Sequence, residues 1–153
     1  MERFKALSTG PKLVLVATPL LLVSLFFTWQ KLEVDFGRAG SAEAMLDGWD
    51  FWGLLIGFLT LGLTSFAVVA YLTDVELSEE VPWERLVLGA GMAILALTVL
   101  KNLTDADSAW ASYAGVLLAA LVALGAYETW AEAVGRPSLV SRVRRRRGVG
   151  SAA

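Results

Sequence analysis

Four stretches of the chain, Leu13 to Trp29, Phe51 to Leu72, Leu86 to Leu100 and Ala109 to Tyr127, carry no charged side chain, while the segments between them are polar. Lipid offers no partner for a backbone amide, so a segment that crosses it must close its own hydrogen bonds. A helix does so with about 20 apolar residues. The pattern predicts four transmembrane helices, over about 11–29, 50–73, 84–103 and 108–134, in one domain spanning 1–137. The fold class expected is an all-α membrane protein, an antiparallel four-helix transmembrane bundle. The run after Arg3, Lys5 and Lys12 ends in Phe26-Phe27-Thr28-Trp29 rather than a small-residue cleavage site, so it reads as the first span and not as a leader.

The polar segments carry finer signals. Lys31 to Phe36 alternates polar and apolar residues, which suits a strand with Leu32, Val34 and Phe36 on one face, and Gly37 to Ser41 reads as a turn. The outer segment 30–49 is therefore a candidate β-hairpin, with Ala42 to Leu46 either the return strand or a helical turn. Asp50 is placed to cap the second span, and Asp107 or Ser108 the fourth. Pro82 suits the start of the third. Pro19 lies inside the first span, where it serves as either a hinge or a static kink. Gly135, Arg136 and Pro137 should stop the last helix near Val134.

All six tryptophans, Trp29, Trp49, Trp52, Trp83, Trp110 and Trp130, fall at or just outside the ends of the apolar runs. Indoles favour the headgroup boundary, so each reads as an interface anchor. Small residues recur four apart at Gly53 and Gly57, at Gly89 and Ala93, and at Ala111, Gly115, Ala119 and Ala123. Each set lines one helix face and predicts close helix packing, inside the bundle or between copies.

Net charge is only −2, but its distribution is uneven. With both termini inside, the cytoplasmic side holds Arg3, Lys5, Lys12, Arg85, Arg136, Arg142, Arg144, Arg145, Arg146 and Arg147, against Lys31, Arg38 and Lys101 outside. That asymmetry orients both termini to the cytoplasm and places the chain in the cell membrane. The basic tail, 138–153, should associate with anionic lipid headgroups through Arg142, Arg144, Arg145, Arg146 and Arg147; nucleic acid is not an expected partner.

The chain has no cysteine and no histidine, which excludes disulfides, thiol redox chemistry, histidine-ligated haem and a histidine-based serine protease. The four apolar runs hold no Asp, Glu, Lys, Arg or His, and the absence of such a residue within the membrane argues against proton-coupled transport. The acids Glu33, Asp35, Glu43, Asp47, Asp50, Asp105 and Asp107 lack the spacing of a calcium loop and read as a solvated outer face. No metal site, cofactor or catalytic residue is expected.

Phe26-Phe27-Thr28-Trp29, Gly48-Trp49-Asp50-Phe51-Trp52-Gly53 and Tyr113-Ala114-Gly115 resemble a group of small, uncharacterised four-span membrane proteins of high-GC bacteria. The group has a Phe-x-x-Trp-like corner closing the first span and a Gly-Trp-Asp-aromatic stretch opening the second. The chain departs from it at Gln30 and at Ala111-Ser112. The resemblance covers most of residues 11 to 130 and implies architecture only. A physical account of these motifs is an outer aromatic cap of Trp29, Trp49 and Trp52, with Asp50 satisfying amides at the helix start.

Together these features favour a non-enzymatic structural or accessory protein of the membrane, whose partners are the bilayer, other membrane proteins or copies of itself. One alternative is a small homo-oligomeric channel or carrier lined by Thr60, Thr64 and Thr98. Another is a lipid-interacting membrane enzyme using Glu84, Arg85, Glu128 and Glu132, although an ion pair between helix ends explains those residues more simply.

Overall fold

The computed structural model describes residues 2–35, 37, 40–78, 80–105 and 107–136. The order of elements is α1 (Glu2–Ala6), α2 (Thr9–Ser24), β1 (Gln30–Asp35), β2 (Ser41–Leu46), α3 (Phe51–Leu72), α4 (Trp83–Thr104) and α5 (Trp110–Ala133). Three of the helices, α3, α4 and α5, are long and apolar enough to cross a membrane. Their outward faces expose Phe58, Leu103 and Leu117, each more than two-thirds accessible. Bare apolar surface of that extent suits lipid and not water.

α2, in the place of the first expected span, departs from expectation. Its 16 residues rise only about 24 Å, short of the roughly 30 Å of a hydrocarbon core. The apolar sequence continues to Trp29, but the helix does not. After Ser24 the chain tightens into i→i+3 bonds, Leu25 N–H to Leu22 C=O, Phe26 N–H to Val23 C=O and Phe27 N–H to Ser24 C=O, and then extends. Two acceptors at this end find partners outside the helix: Ser24 C=O receives the Trp29 indole N–H at 2.7 Å, and Leu25 C=O receives Gly48 N–H at 2.8 Å. Helix ends need such partners. Upstream, α2 runs through Pro19 as one helix.

α5 packs most extensively, against α2 on one side and α4 on the other, while α3 touches α2 and α4. The buried core runs through Val14, Leu21, Leu25, Trp29, Ile56, Ile94 and Val122. The small-residue face of α5 lies inside this packing, with Ala111, Gly115, Ala119 and Ala123 all buried. At one end, Gly10 and Gly125 bring α2 and α5 into backbone contact. A Cβ on Gly10 would stand 2.9 Å from Gly125 O, and one on Gly125 would stand 2.8 Å from Leu13 Cβ.

The segment after α2 is a β-hairpin, β1 antiparallel to β2, with Gln30 opposite Leu46 and Asp35 opposite Ser41. The alternation read from Lys31 onward is a strand, and the return segment is a strand too, not a helical turn. Phe36, the last residue of that reading, lies outside the described residues. Side-chain hydroxyls within the helices bond back to their own turns: Thr18 to Val14 C=O, Thr60 to Ile56 C=O, Thr64 to Thr60 C=O and Thr98 to Ile94 C=O.

Candidate functional site at the hairpin end

Asp50 precedes α3 in extended backbone and spends its two carboxylate oxygens on different elements. Oδ1 accepts Gly53 N–H at 2.7 Å, capping α3 as its position predicts. Oδ2 stands 2.5 Å from Lys101 Nζ, in the last turn of α4. Lys101 is only 1% exposed, Asp50 is 42% exposed, and Asp105, whose Oδ2 lies 3.0 Å from the same ammonium, is 6% exposed. The ammonium also sits 5.6 Å from the centre of the Trp29 ring. One cation thus holds the start of α3 and the end of α4 together above a buried indole, an arrangement that tolerates burial because the charge is paired on two sides.

Trp29 is entirely enclosed. Its ring fills the space left by the missing side chain of Gly115, where a Cβ would come within 2.4 Å of the indole. This corrects its reading as an interface anchor: a fully buried ring at this site packs the core and meets no headgroup. The proposed cap of three tryptophans is also replaced. Phe26 meets Trp49 edge-on at 5.1 Å, Phe27 meets Trp110 at 5.9 Å, and Phe51 meets Trp52 at 5.5 Å. Trp110 is mostly exposed and Trp52 half-buried, consistent with a boundary position. Trp83 and Trp130 mark the opposite end, Trp83 stacked on Phe66 at 5.2 Å and Trp130 covered by the Arg136 guanidinium at 5.2 Å.

The small-residue pairs divide. Gly115 and Ala119 are buried at helix contacts. Gly53 and Gly57 instead receive the loop that enters their own helix: Gly53 abuts the Gly48 carbonyl, and a Cβ on Gly57 would stand 2.6 Å from the Trp49 ring. Gly89 is exposed with open space around it and Ala93 is half-buried, so neither is the closest approach on α4. Gly91 takes that place, 2.8 Å from the Ala126 methyl if it carried a Cβ.

The hairpin is mounted on this end by backbone bonds at its base. Trp29 N–H donates to Leu46 C=O at 2.9 Å, Ala109 N–H to Trp29 C=O at 2.7 Å and Lys31 N–H to Asp107 C=O at 3.1 Å. Gln30 further bridges Ser108. Ser108 therefore does not cap α5, which Ala109 precedes without a side-chain cap; its hydroxyl donates to Asn102 C=O. Asp107 holds a left-handed turn, φ 48°, which an aspartate tolerates better than most residues. Nearby, the Asn102 amide donates to the Ser112 hydroxyl at 2.7 Å, tying α4 to α5.

Every residue of β2 is exposed, Met45 and Leu46 among them. Glu33 and Glu43 stand directly opposite one another across the ladder. Like charges so placed weaken a hairpin, which makes its mounting the more important. Among the described residues, no three acids come together in a way that would hold a metal ion. Asp50 and Asp105 face Lys101, and Asp47 accepts Trp49 N–H at 3.0 Å. Arg142, Arg144, Arg145, Arg146 and Arg147 lie outside the described residues.

No family model matches the chain, and no curated protein or solved structure resembles it at a significant level.

Proposed function

We propose that this chain is a multi-pass integral membrane protein with a structural or accessory role, crossing the bilayer four times as an antiparallel four-helix bundle. In this reading α2 and its apolar continuation to Trp29 form the first crossing. The β1–β2 hairpin stands on the outer side and is offered to a neighbouring membrane protein. Both termini lie in the cytoplasm and the basic tail meets anionic headgroups. The observation that carries the proposal is the hairpin's mounting: a strand exposed at every residue, tied at its base by backbone bonds to the segments before α5 and after α2, beside a buried indole and the cation packed on it. Preorganised, solvent-facing strands lose little entropy on meeting a partner.

A photo-crosslinking residue at Glu43, in intact cells, should give a discrete adduct that the same residue at Leu117 does not. Equal labelling from both positions, or none from the hairpin, overturns the proposal. Reporter tags on the two termini should both read cytoplasmic. The channel alternative draws no support from Thr60, Thr64 and Thr98, whose hydroxyls are engaged with their own helices at 2.6, 2.7 and 2.7 Å. Proteoliposomes containing the purified chain should accordingly stay impermeable to ions and small solutes.

A further inference from the structure

The seam between α3 and α4 holds an open cleft. An apolar cleft of about 250 Å³ runs between the helices from Phe58 and Gly62 to Phe66 on one side and from Ala90 to Trp83 on the other. Gly62 widens it, since the position of its absent Cβ meets nothing within 4 Å. The stacked rings of Phe66 and Trp83, with Val87, also wall a second space of about 640 Å³ at the end remote from the hairpin. This second space is mixed in character and the more polar of the two. Tyr71 lines it together with Ser78, Glu84, Thr129 and Glu132.

Among the described residues, the charged side chains lining this mouth are both acids, Glu84 and Glu132, and no lysine or arginine lines either space. Glu84 enters no ion pair among the described residues, and Glu132 accepts only a hydroxyl, Ser8 Oγ, at 2.6 Å. The cations nearest in sequence, Arg85 and Arg136, are not in the lining, and Arg136 is laid over Trp130. Glu132 also stands at the C-terminal end of α5, where the helix dipole adds to its negative field.

We infer that this composite groove binds a single-chain cationic amphiphile, with its alkyl chain in the α3–α4 seam and its ammonium head between Glu84 and Glu132. The stretch of α3 from Phe58 to Phe66 rises about 12 Å, the reach of a decyl chain. In a bilayer an alkyl chain gains little by exchanging lipid for an apolar groove, so the head supplies the preference, and the cleft must be open for the chain to follow it to Trp83. Two carboxylates attract an ammonium and repel a phosphate or sulfate. The inference rests on α3 and α4 being membrane helices and is independent of what the hairpin meets.

The test uses the full chain labelled with 5-fluorotryptophan in phosphatidylcholine nanodiscs, the Trp83 fluorine resonance being assigned with Trp83→Phe. Dodecylammonium should shift that resonance saturably and leave the enclosed Trp29 resonance in place. Dodecyl sulfate should not. Glu84→Gln/Glu132→Gln should raise half-saturation about tenfold or more, as loss of a charge-assisted contact implies. Gly62→Leu, which fills the cleft, should abolish the shift, with an unmoved Trp29 resonance reporting an intact fold. A shift that grows without saturating, that dodecyl sulfate reproduces, or that survives the double substitution would overturn the assignment.

Discussion

The seams that α5 makes with α2 and α4, and the seam between α3 and α4, use the same residue type to opposite ends. At α5, Gly10 meets Gly125, Gly91 meets Ala126, and Gly115 receives the Trp29 ring, each so closely that a methyl group would collide. At the other seam Gly62 looks onto open space, as does Gly89 on an exposed position of α4. Small residues permit close approach; they do not cause it. A partner must be held in place, and here the partners are the backbone of α2, the methyls of α5 and an indole steered inward by the early end of α2. Between α3 and α4, Lys101 joins Asp50 at the hairpin end and Phe66 stacks on Trp83 toward the other, and an apolar cleft runs along the seam beside that stack.

The sharpest way to break this contrast is to remove the indole. Trp29→Ala should destabilise the protein by about 4 kcal/mol, the scale for truncating a fully buried aromatic. It removes the ring that fills the Gly115 notch and the N–H that satisfies Ser24 C=O. Unfolding by sodium dodecyl sulfate in mixed micelles, followed by circular dichroism, measures it. The complementary change, Gly115→Ala, overfills the same notch and should cost about 2 kcal/mol. Pairing it with Trp29→Phe should cost less than the sum of the two, because a smaller ring makes room for the methyl. Strict additivity would mean that the two residues do not share one space.

Next in size is the cation. Lys101→Met leaves the Asp105 carboxylate enclosed beside a thioether and should cost about 3 kcal/mol in the same assay. Adding Asp50→Asn and Asp105→Asn should recover much of that loss, since neutral groups no longer need the ammonium. If the triple substitution is as unstable as the single one, the role of Lys101 is packing and not charge.

The residues behind these predictions differ in how far the chain alone revealed them. The three long spans were legible because lipid imposes a length and a composition that little else in a protein imitates. The Asp50 cap and the first strand were legible because both depend on a few adjacent residues. The length of α2 was not, because its end is set by Trp29 finding Gly115 some 86 positions away in sequence. The burial of Lys101 was equally hidden: a lysine just past an apolar run ordinarily reaches for water, and only the fold brings Asp50 beside it. The choice of Gly91 over Gly89 had no local signal either. A helix apolar on every side has no stripe to show which face meets protein and which meets lipid.

The smallest expected effect isolates that last point. Gly89→Ala and Gly62→Ala add a methyl where nothing stands within 4 Å, so each should leave stability unchanged or raise it by up to about 1 kcal/mol, the propensity gain of alanine over glycine. Gly91→Ala, two positions from Gly89 on the same helix, drives a methyl to 2.8 Å from that of Ala126 and should cost about 1 kcal/mol or more. The three variants share a helix class, a residue type and a single added carbon, so helix propensity cancels in the comparison and only the neighbour differs. Equal losses at all three positions would show that α4 packs through Gly89 after all and that the open seam is closed in the bilayer.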